Sequence, residues 1–180
     1  GKTKINVRYE AAISSVTRNI KMADNITYMQ LANEATLTRN PLTARPYSLE
    51  KIGNTAAGAN PMLYPNNDWV DMMVKDNALN HRINFNISGG GTKVAYYVSG
   101  TANIDNGILQ NHKLNDFNSN VKTNNYSVRA NVDIDLTSTT KASVRLDGRF
   151  SSYNGPIDGG SKVFEYIRLS NPVQFPAIYD

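Results

Sequence analysis

The sequence predicts a mainly β fold, an antiparallel meander of about five strands, and three observations support this prediction. Apolar and polar residues alternate in five separate runs, and a period of two is typical of strands with one apolar and one polar face. The connections between these runs alternate between long and tight. The 180 residues include 24 Asn, 13 Ser and 13 Thr, which favour strands and loops over helices.

The alternation is clearest in the fourth run. Tyr126, Val128 and Ala130 are separated there by Ser127 and Arg129, so that the apolar side chains all point to one side of a strand. Four other runs show the same pattern. The five strands are predicted near residues 3–13, 81–89, 92–103, 124–137 and 141–153.

Two tight turns join strands of this meander. A two-residue turn at Gly90-Gly91 would pair Ile87 with Val94 and keep the apolar residues on one face, because glycine adopts the positive φ of primed turns. The second turn is predicted to pair Leu136 with Ala142. Both pairings preserve the sidedness of the strands.

Three long connections complete the chain, and they are predicted at 14–80, 104–123 and 154–180. A short helix is expected after Asp24 or Asn25, a second from Asp68, and a third from Ser161 that ends before Pro172. The stretch between the first two helices is rich in Pro and Gly and is predicted to be irregular. The first helix is expected to carry one apolar stripe, made of Tyr28, Leu31, Ala32 and Ala35.

The order of connections places both tight turns at one edge of the sheet and every long loop at the other. Outer-membrane barrels have this asymmetry, and strands of about 9–11 residues cross a bilayer. Tyr9, Tyr96, Tyr126 and Phe150 lie toward the ends of the runs, where an aromatic girdle would sit. A soluble β-sandwich also alternates apolar and polar residues, so the alternation alone leaves both architectures open.

Several short motifs follow one another along the whole chain. They are Tyr64-Pro65-Asn66-Asn67-Asp68-Trp69, Asn86-Ile87-Ser88-Gly89-Gly90-Gly91, Tyr96-Tyr97-Val98-Ser99-Gly100, Asp105-Asn106-Gly107-Ile108-Leu109, Asn131-Val132-Asp133-Ile134-Asp135-Leu136-Thr137, Asn154-Gly155-Pro156, and Asn171-Pro172-Val173 with Phe175-Pro176. In these motifs and in their order, the sequence resembles the start of the barrel in the SusC/RagA family, the TonB-dependent outer-membrane nutrient transporters of Bacteroidetes.

The resemblance implies a 22-stranded transmembrane β-barrel in the bacterial outer membrane, with short helices in long extracellular loops. It also implies an N-terminal plug, a TonB box, and a SusD-like surface lipoprotein over the extracellular mouth. The parent protein would take up oligosaccharides or peptides with energy supplied through TonB. Residues 1–180 would form the N-terminal part of the barrel domain, without the plug and the remaining strands, and this piece alone is not expected to transport.

The polar face of the strands would then line the water-filled lumen, while the apolar face would meet the lipid bilayer. An Arg or Lys that faced lipid at mid-depth would cost about 2–4 kcal/mol, so we expect the charged face to point inward. The predicted lumen-facing residues are Arg82, Asn84, Asn86, Tyr97, Arg129, Asn131, Asp133, Asp135, Arg145, Asp147 and Arg149.

Tyr64 and Trp69 are the aromatic residues that best suit a ligand platform, because sugars stack on exposed rings. The alternative is that Trp69 packs with Met72 and Met73 and anchors the first long loop. The alternative function for the whole chain is a soluble or cell-surface β-sandwich that binds a ligand such as a carbohydrate.

Enzymatic activity is not expected. The chain has no Cys, which excludes disulfides and thiolate metal sites, and its two histidines, His81 and His112, lie far apart in sequence. Asp133 and Asp135 share a face near Arg129, which favours a structural charge ladder over paired acid–base carboxylates. No metal and no cofactor are predicted. The net charge of +4 is spread along the chain, so no nucleic-acid partner is expected.

Overall fold

The computed structural model describes residues 2–17, 20–111 and 118–178. The strands form one antiparallel sheet in the order β1-β2-β3-β4-β5, which confirms the mainly β meander. The elements in chain order are β1 (Lys4–Ser15), α1 (Asn25–Arg39), α2 (Leu49–Ala56), α3 (Trp69–Met73), β2 (Asn77–Gly90), β3 (Val94–Asn106), β4 (Lys122–Asp135), β5 (Lys141–Asn154) and α4 (Gly159–Leu169).

All strands except β4, which has the predicted 14 residues, are longer than the sequence predicts. They contain 12 to 14 residues each, because the ladder continues into polar residues at the long-loop end. The connection from β3 to β4 therefore begins after Asn106 and ends before Lys122, so the predicted loop 104–123 was too wide. The alternation of long and tight connections is as predicted.

The predicted register between β2 and β3 was wrong by four residues. Ile87 lies opposite Val98 instead of Val94, and the turn is closed by a 2.7 Å hydrogen bond from the Gly91 N–H to the Val94 carbonyl. Among the described residues only Gly58 and Gly159 have positive φ, so this turn uses no left-handed glycine. A shift of four residues, like any even number, leaves every side chain on its predicted face.

Size complementarity explains the observed register. Phe85 lies opposite Gly100, and Tyr96 lies opposite Gly89, so each aromatic ring covers a residue without a side chain. A methyl group added to Gly89 would lie 2.7 Å from Cζ of Tyr96. The predicted register would have placed the Phe85 and Tyr96 rings opposite each other instead of opposite a glycine each.

The register between β4 and β5 also differs from the prediction. Ala142 pairs with Ile134 instead of Leu136. The Leu136 N–H donates to the Thr140 carbonyl at 2.9 Å, which leaves a shorter loop than expected. Within this loop the Thr137 hydroxyl accepts a hydrogen bond from the backbone N–H two residues later, at 3.2 Å, and so stabilises the tighter turn.

The glycine opposite Phe85 provides a test of this packing. We expect Gly100→Ala to destabilise the fold by about 1–3 kcal/mol, because the new methyl group would overlap the Phe85 ring. Gly148 lies in the same row of the sheet, and a methyl group there would meet Phe150 at an ordinary 4.0 Å, so Gly148→Ala is the matched control. Denaturant titration measures both, and equal unfolding free energies would contradict this account of the register.

The chain divides into two compact units. The sheet unit contains residues up to Val16 and from Lys75 to Gly160, and the helical unit contains Thr17 to Val74 and residues from Ser161 onward. No helix in the described part of the chain is long and apolar enough to cross a membrane.

The helix α1 begins where the sequence predicts. Asp24 is its N-cap, and its carboxylate accepts hydrogen bonds from the Ile26 N–H at 3.1 Å and the Thr27 N–H at 2.9 Å. The Thr27 hydroxyl also donates to this carboxylate at 2.6 Å and is the main cause that lowers the pKa of Asp24 below its ordinary value. The cap therefore acts in its charged form at neutral pH.

The predicted apolar stripe of α1 was wrong in part. Leu31 and Ala35 are exposed, whereas Met29 and Asn33 are buried. The Asn33 side chain accepts a hydrogen bond from the Tyr47 N–H at 2.9 Å and donates to the Tyr47 carbonyl at 2.8 Å. This pairing satisfies a buried amide and turns the helix by one position relative to the predicted stripe.

The helix α2 lies in the stretch predicted to be irregular. Ser48 is its N-cap and accepts from the Lys51 N–H at 3.1 Å, and Gly58 follows its C-cap with a φ of 66°. The two other helices match their predictions closely. The N-cap of α3 is Asp68, and α4 ends before Pro172.

Candidate functional site

The polar face of the sheet carries all eleven predicted lumen-facing side chains. Directly paired residues of an antiparallel ladder lie on the same face. One transverse row runs from Asn86 to Ser99, from Ser99 to Arg129, and from Arg129 to Asp147. Alternate positions along the strands extend this face to Arg82, Asn84, Asn86, Tyr97, Arg129, Asn131, Asp133, Asp135, Arg145, Asp147 and Arg149.

A charge ladder occupies the part of the polar face formed by β4 and β5. We define it as Arg129, Asp133, Asp135, Lys141, Arg145, Asp147 and Arg149. The Asp133 carboxylate accepts hydrogen bonds from Arg145 at 2.7 Å and from the Ser143 hydroxyl at 2.6 Å, and Asp135 lies 3.3 Å from Lys141. Both aspartates are therefore engaged with cations, as expected of a structural ladder.

The second half of the charge ladder centres on Asp147. Its two carboxylate oxygens lie 3.3 Å from Arg129 and 3.4 Å from Arg149. These three side chains are about half or more exposed, so each pair contributes on the order of 0–1 kcal/mol to stability. The ladder therefore fixes the directions of the charged side chains more than it stabilises the sheet.

Amide and hydroxyl groups cover the rest of the polar face. Asn6 donates to Asn86 across β1 and β2 at 3.1 Å, and the hydroxyl groups of Thr101 and Ser127 are 2.7 Å apart across β3 and β4. Such groups both donate and accept hydrogen bonds without carrying charge. This surface can bind water and neutral polar ligands.

Only one of the two histidines, His81, lies among the described residues. His81 lies in β2 on the apolar face, where its Nδ1 is 2.8 Å from the Tyr9 hydroxyl and its ring stacks on the Tyr9 ring. His112 lies outside the described residues. No group of three or more His, Asp or Glu side chains that could hold a metal ion occurs in the described ranges.

Trp69 belongs to the helical unit and is half-buried there, as is Tyr64. The Trp69 indole N–H donates to the Asn171 carbonyl at 3.3 Å, and its ring centroid is 5.5 Å from that of Phe175. The Trp69 ring therefore packs within the helical unit against Phe175, a contact that the sequence analysis did not predict.

Asn67 and Asn171 are positions whose role the sequence did not reveal. The Asn67 backbone N–H donates to the Pro172 carbonyl at 3.0 Å, and its side chain donates to the Phe175 carbonyl at 2.9 Å. The Asn171 side chain donates to the Tyr47 hydroxyl at 2.7 Å. The two bonds of Asn67 join the motif around 64–69 to the motif around 171–176, and the bond of Asn171 joins the latter to Tyr47. The only sequence signal was that both motifs combine Asn with Pro.

An open groove of about 490 Å³ lies in the helical unit and is lined mainly by α1 and α2. Its lining includes the apolar Leu37, Leu49 and Ile52 together with the charged Glu34 and Arg45. The groove therefore mixes apolar and charged surface and brings together no catalytic set of side chains.

The opposite face of the sheet is apolar and open. Val7, Leu146 and Phe150 have exposed fractions of 72%, 64% and 71%. All strands of the described chain belong to one sheet, so no second sheet of these residues covers this face. Such an exposed apolar surface indicates contact with lipid or with another protein.

The apolar residues of this face form a band that crosses the strands obliquely. We define the apolar band by its limits on each strand: Ile5–Ile13 on β1, Leu79–Ile87 on β2, Val94–Ile104 on β3, Tyr126–Ile134 on β4 and Ala142–Phe150 on β5. Polar His81 is the one interruption among these described positions.

The strand register shows how far the band shifts between β1 and β5 at the long-loop end of the sheet. Phe150, the last apolar residue of β5, lies in the row of Tyr9, and Ile13 ends the band on β1 four residues later. In the next row of this face β1 still carries Ala11, whereas β5 already carries Ser152. The upper limit of the band thus moves by four residues between the outer strands.

The tight-turn end shows the same displacement. On β1 the band ends at Ile5, whose row contains Val98, whereas on β5 it ends at Ala142, whose row contains Val94. Val98 and Val94 are four residues apart on β3, so the lower limit of the band also moves by four residues. Four residues rise about 13 Å along a strand and four strand spacings span about 19 Å, which gives a slope of about 35°.

No protein-family model matches the sequence, and no match among curated proteins was found.

Proposed function

We propose that the chain is part of a TonB-dependent outer-membrane transporter similar to the SusC/RagA family. Residues 1–180 would form the N-terminal part of its transmembrane barrel. The parent protein would take up oligosaccharides or peptides together with a SusD-like surface lipoprotein, using energy passed on by TonB. The ordered sequence motifs support the family assignment, and the oblique apolar band is the observation that best supports insertion of the sheet into a membrane.

The slope of the apolar band fits a tilted strand in a bilayer. The two boundaries of the hydrocarbon layer are parallel planes, so they cut tilted neighbouring strands at positions that shift steadily across the sheet. Barrel strands tilt by about 35–45° from the membrane normal. The band has a slope of about 35° at both of its ends. A planar apolar solvent of constant thickness would account for both limits at once.

The two ends of the sheet suit the two sides of an outer membrane. The tight turns near Gly91 and Thr137 would lie at the periplasmic side, and the long connections with the helices would lie at the extracellular side. The polar face, with its charge ladder, would line the lumen. A β-sandwich, by contrast, would need a second sheet over the apolar band.

The absence of Cys permits a direct test. Val128 and Ser127 are neighbours on β4 that lie on opposite faces, so Val128→Cys and Ser127→Cys form a matched pair for an environment-sensitive fluorophore. In membranes that contain the full-length protein, we expect lipid-attached nitroxides to quench the label at 128 and aqueous iodide to quench the label at 127.

Two outcomes would contradict the proposal. In one, nitroxide lipids quench neither label, as expected of a soluble sandwich. In the other, the full-length protein is recovered folded and monomeric without detergent. A reversed pattern, with lipid at 127, would contradict the assignment of the faces.

A further inference from the structure

The sequence contains two Asn–Gly dipeptides, Asn106-Gly107 and Asn154-Gly155. In such a pair the backbone nitrogen of the glycine can attack the side-chain amide carbon of the asparagine, because no side chain on the glycine obstructs the approach. The two pairs have the same intrinsic chemistry, and both lie in the sheet unit. A difference in their reactivity that appears only in the folded protein therefore reports their folded surroundings, since one caused by the next residues, Ile108 and Pro156, would persist on unfolding.

The first pair is held by three hydrogen bonds. The Gly107 N–H donates to the Val121 carbonyl at 2.7 Å, so the attacking nitrogen is occupied. The Asn106 side-chain amide donates to the Leu79 carbonyl at 2.5 Å, and the Asn106 backbone N–H donates to the Asn80 side chain at 2.8 Å. Reaction at this pair requires local opening of the sheet.

The second pair lacks these restraints. Asn154 is the last residue of β5, pairs with Lys122, and is exposed. Among the described residues, neither the Asn154 side chain nor the Gly155 N–H has a hydrogen-bond partner. Gly155 lies at the bend that follows the strand, outside the ladder.

We propose that Asn154 is a site of spontaneous deamidation in the folded protein. The Gly155 nitrogen bonds to Cγ of Asn154, the bond from Cγ to the amide nitrogen breaks, and the proton of the Gly155 nitrogen leaves with ammonia. Water then opens the resulting succinimide at either carbonyl and gives aspartate or isoaspartate. No oxidant or enzyme is required.

The products change both the charge and the backbone. A new carboxylate at position 154 would lie opposite Lys122 in the ladder and can pair with its ammonium group. The isoaspartate product lengthens the main chain by one atom between β5 and the bend at Gly155. Deamidation would thus alter the exit of the chain from the sheet.

Ageing of the intact folded protein at pH 8, followed by peptide mapping with fragmentation that separates aspartate from isoaspartate, tests the proposal. We expect Asn154 to convert at least about tenfold faster than Asn106, since opening one hydrogen bond accounts for a factor of this order. In urea the two rates should become similar.

Three results would overturn the inference. They are equal rates at the two sites in the folded protein, a faster reaction at Asn106, and a preference for Asn154 that persists unchanged in urea. The last result would assign the preference to the flanking Pro156 and Ile108 instead of the fold. Gly155→Ala should slow conversion at Asn154 and leave Asn106 unchanged, which identifies the attacking nitrogen.

Discussion

An arginine at Val98 should destabilise the proposed transmembrane barrel by about 2–4 kcal/mol, because it would place a charge in the hydrocarbon layer. Val98 lies within the apolar band on β3, opposite Ile87 on one side and Ala130 on the other. Neither neighbour offers a carboxylate to pair with the guanidinium. Reversible unfolding in lipid vesicles by denaturant measures the loss.

The matched control is an arginine on the polar face. Asn86→Arg places the same side chain one position away in the ladder, beside Ser99, on the surface proposed to face the lumen. It removes one exposed hydrogen bond to Asn6 and should cost about 1 kcal/mol or less. If Val98→Arg were no more destabilising than Asn86→Arg, lipid would not be the solvent of the apolar band.

Fluorophores at Tyr9 and Phe150 should lie at depths that differ by about 11 Å, although the two residues occupy one row of the sheet. The difference follows from four strand spacings inclined at about 35° to the membrane plane. The label at position 9 should be the deeper one, since the band on β1 continues beyond it to Ile13. Quenching by lipids with nitroxides at graded depths measures both positions.

Ile13 provides the control for this measurement. It and Phe150 each end the apolar band at the long-loop side of their strands, so labels at 13 and 150 should lie at the same depth. Equal depths at 9 and 150, with 13 nearer to the water, would mean that the strands stand upright in the membrane. That result would remove the main support for the proposed barrel.

The sequence predicts the strands and their faces well because alternation is a local property. It cannot fix the register, since a shift of two or four residues leaves every apolar side chain on the same face. The choice between Val94 and Val98 as the partner of Ile87 depends on which residue meets each aromatic ring. The glycines opposite Phe85 and Tyr96 decide this choice of register, and pairing apolar side chains with one another does not reveal their role.

The helices show where local signals suffice. The capping residues Asp24 and Asp68 correctly predict two helix starts. Ser48 is a capping residue of the same kind for α2. The surrounding Pro and Gly residues instead led to the prediction of an irregular stretch there. The buried side of α1 was missed because Asn33 is buried by its bonds to Tyr47, 14 residues away.

The candidate site also has one part that the sequence predicts and one part that it does not. Membership of the polar face follows from the period of two and was predictable residue by residue. The bonds of Asn67 to Phe175 and of Asn171 to Tyr47 span more than one hundred residues and leave no local pattern in the sequence.

In the described part of the chain the sheet has five strands, and this odd number limits what can complete it. Neighbours in a meander alternate direction, so β1 and β5 point the same way. Identical copies arranged around an axis would meet edge to edge in parallel, a pairing that bacterial outer-membrane walls, with their even number of alternating strands, do not contain. A self-assembled ring of this sheet therefore does not suit the wall of the proposed barrel, and whatever closes that barrel must supply an odd number of additional strands.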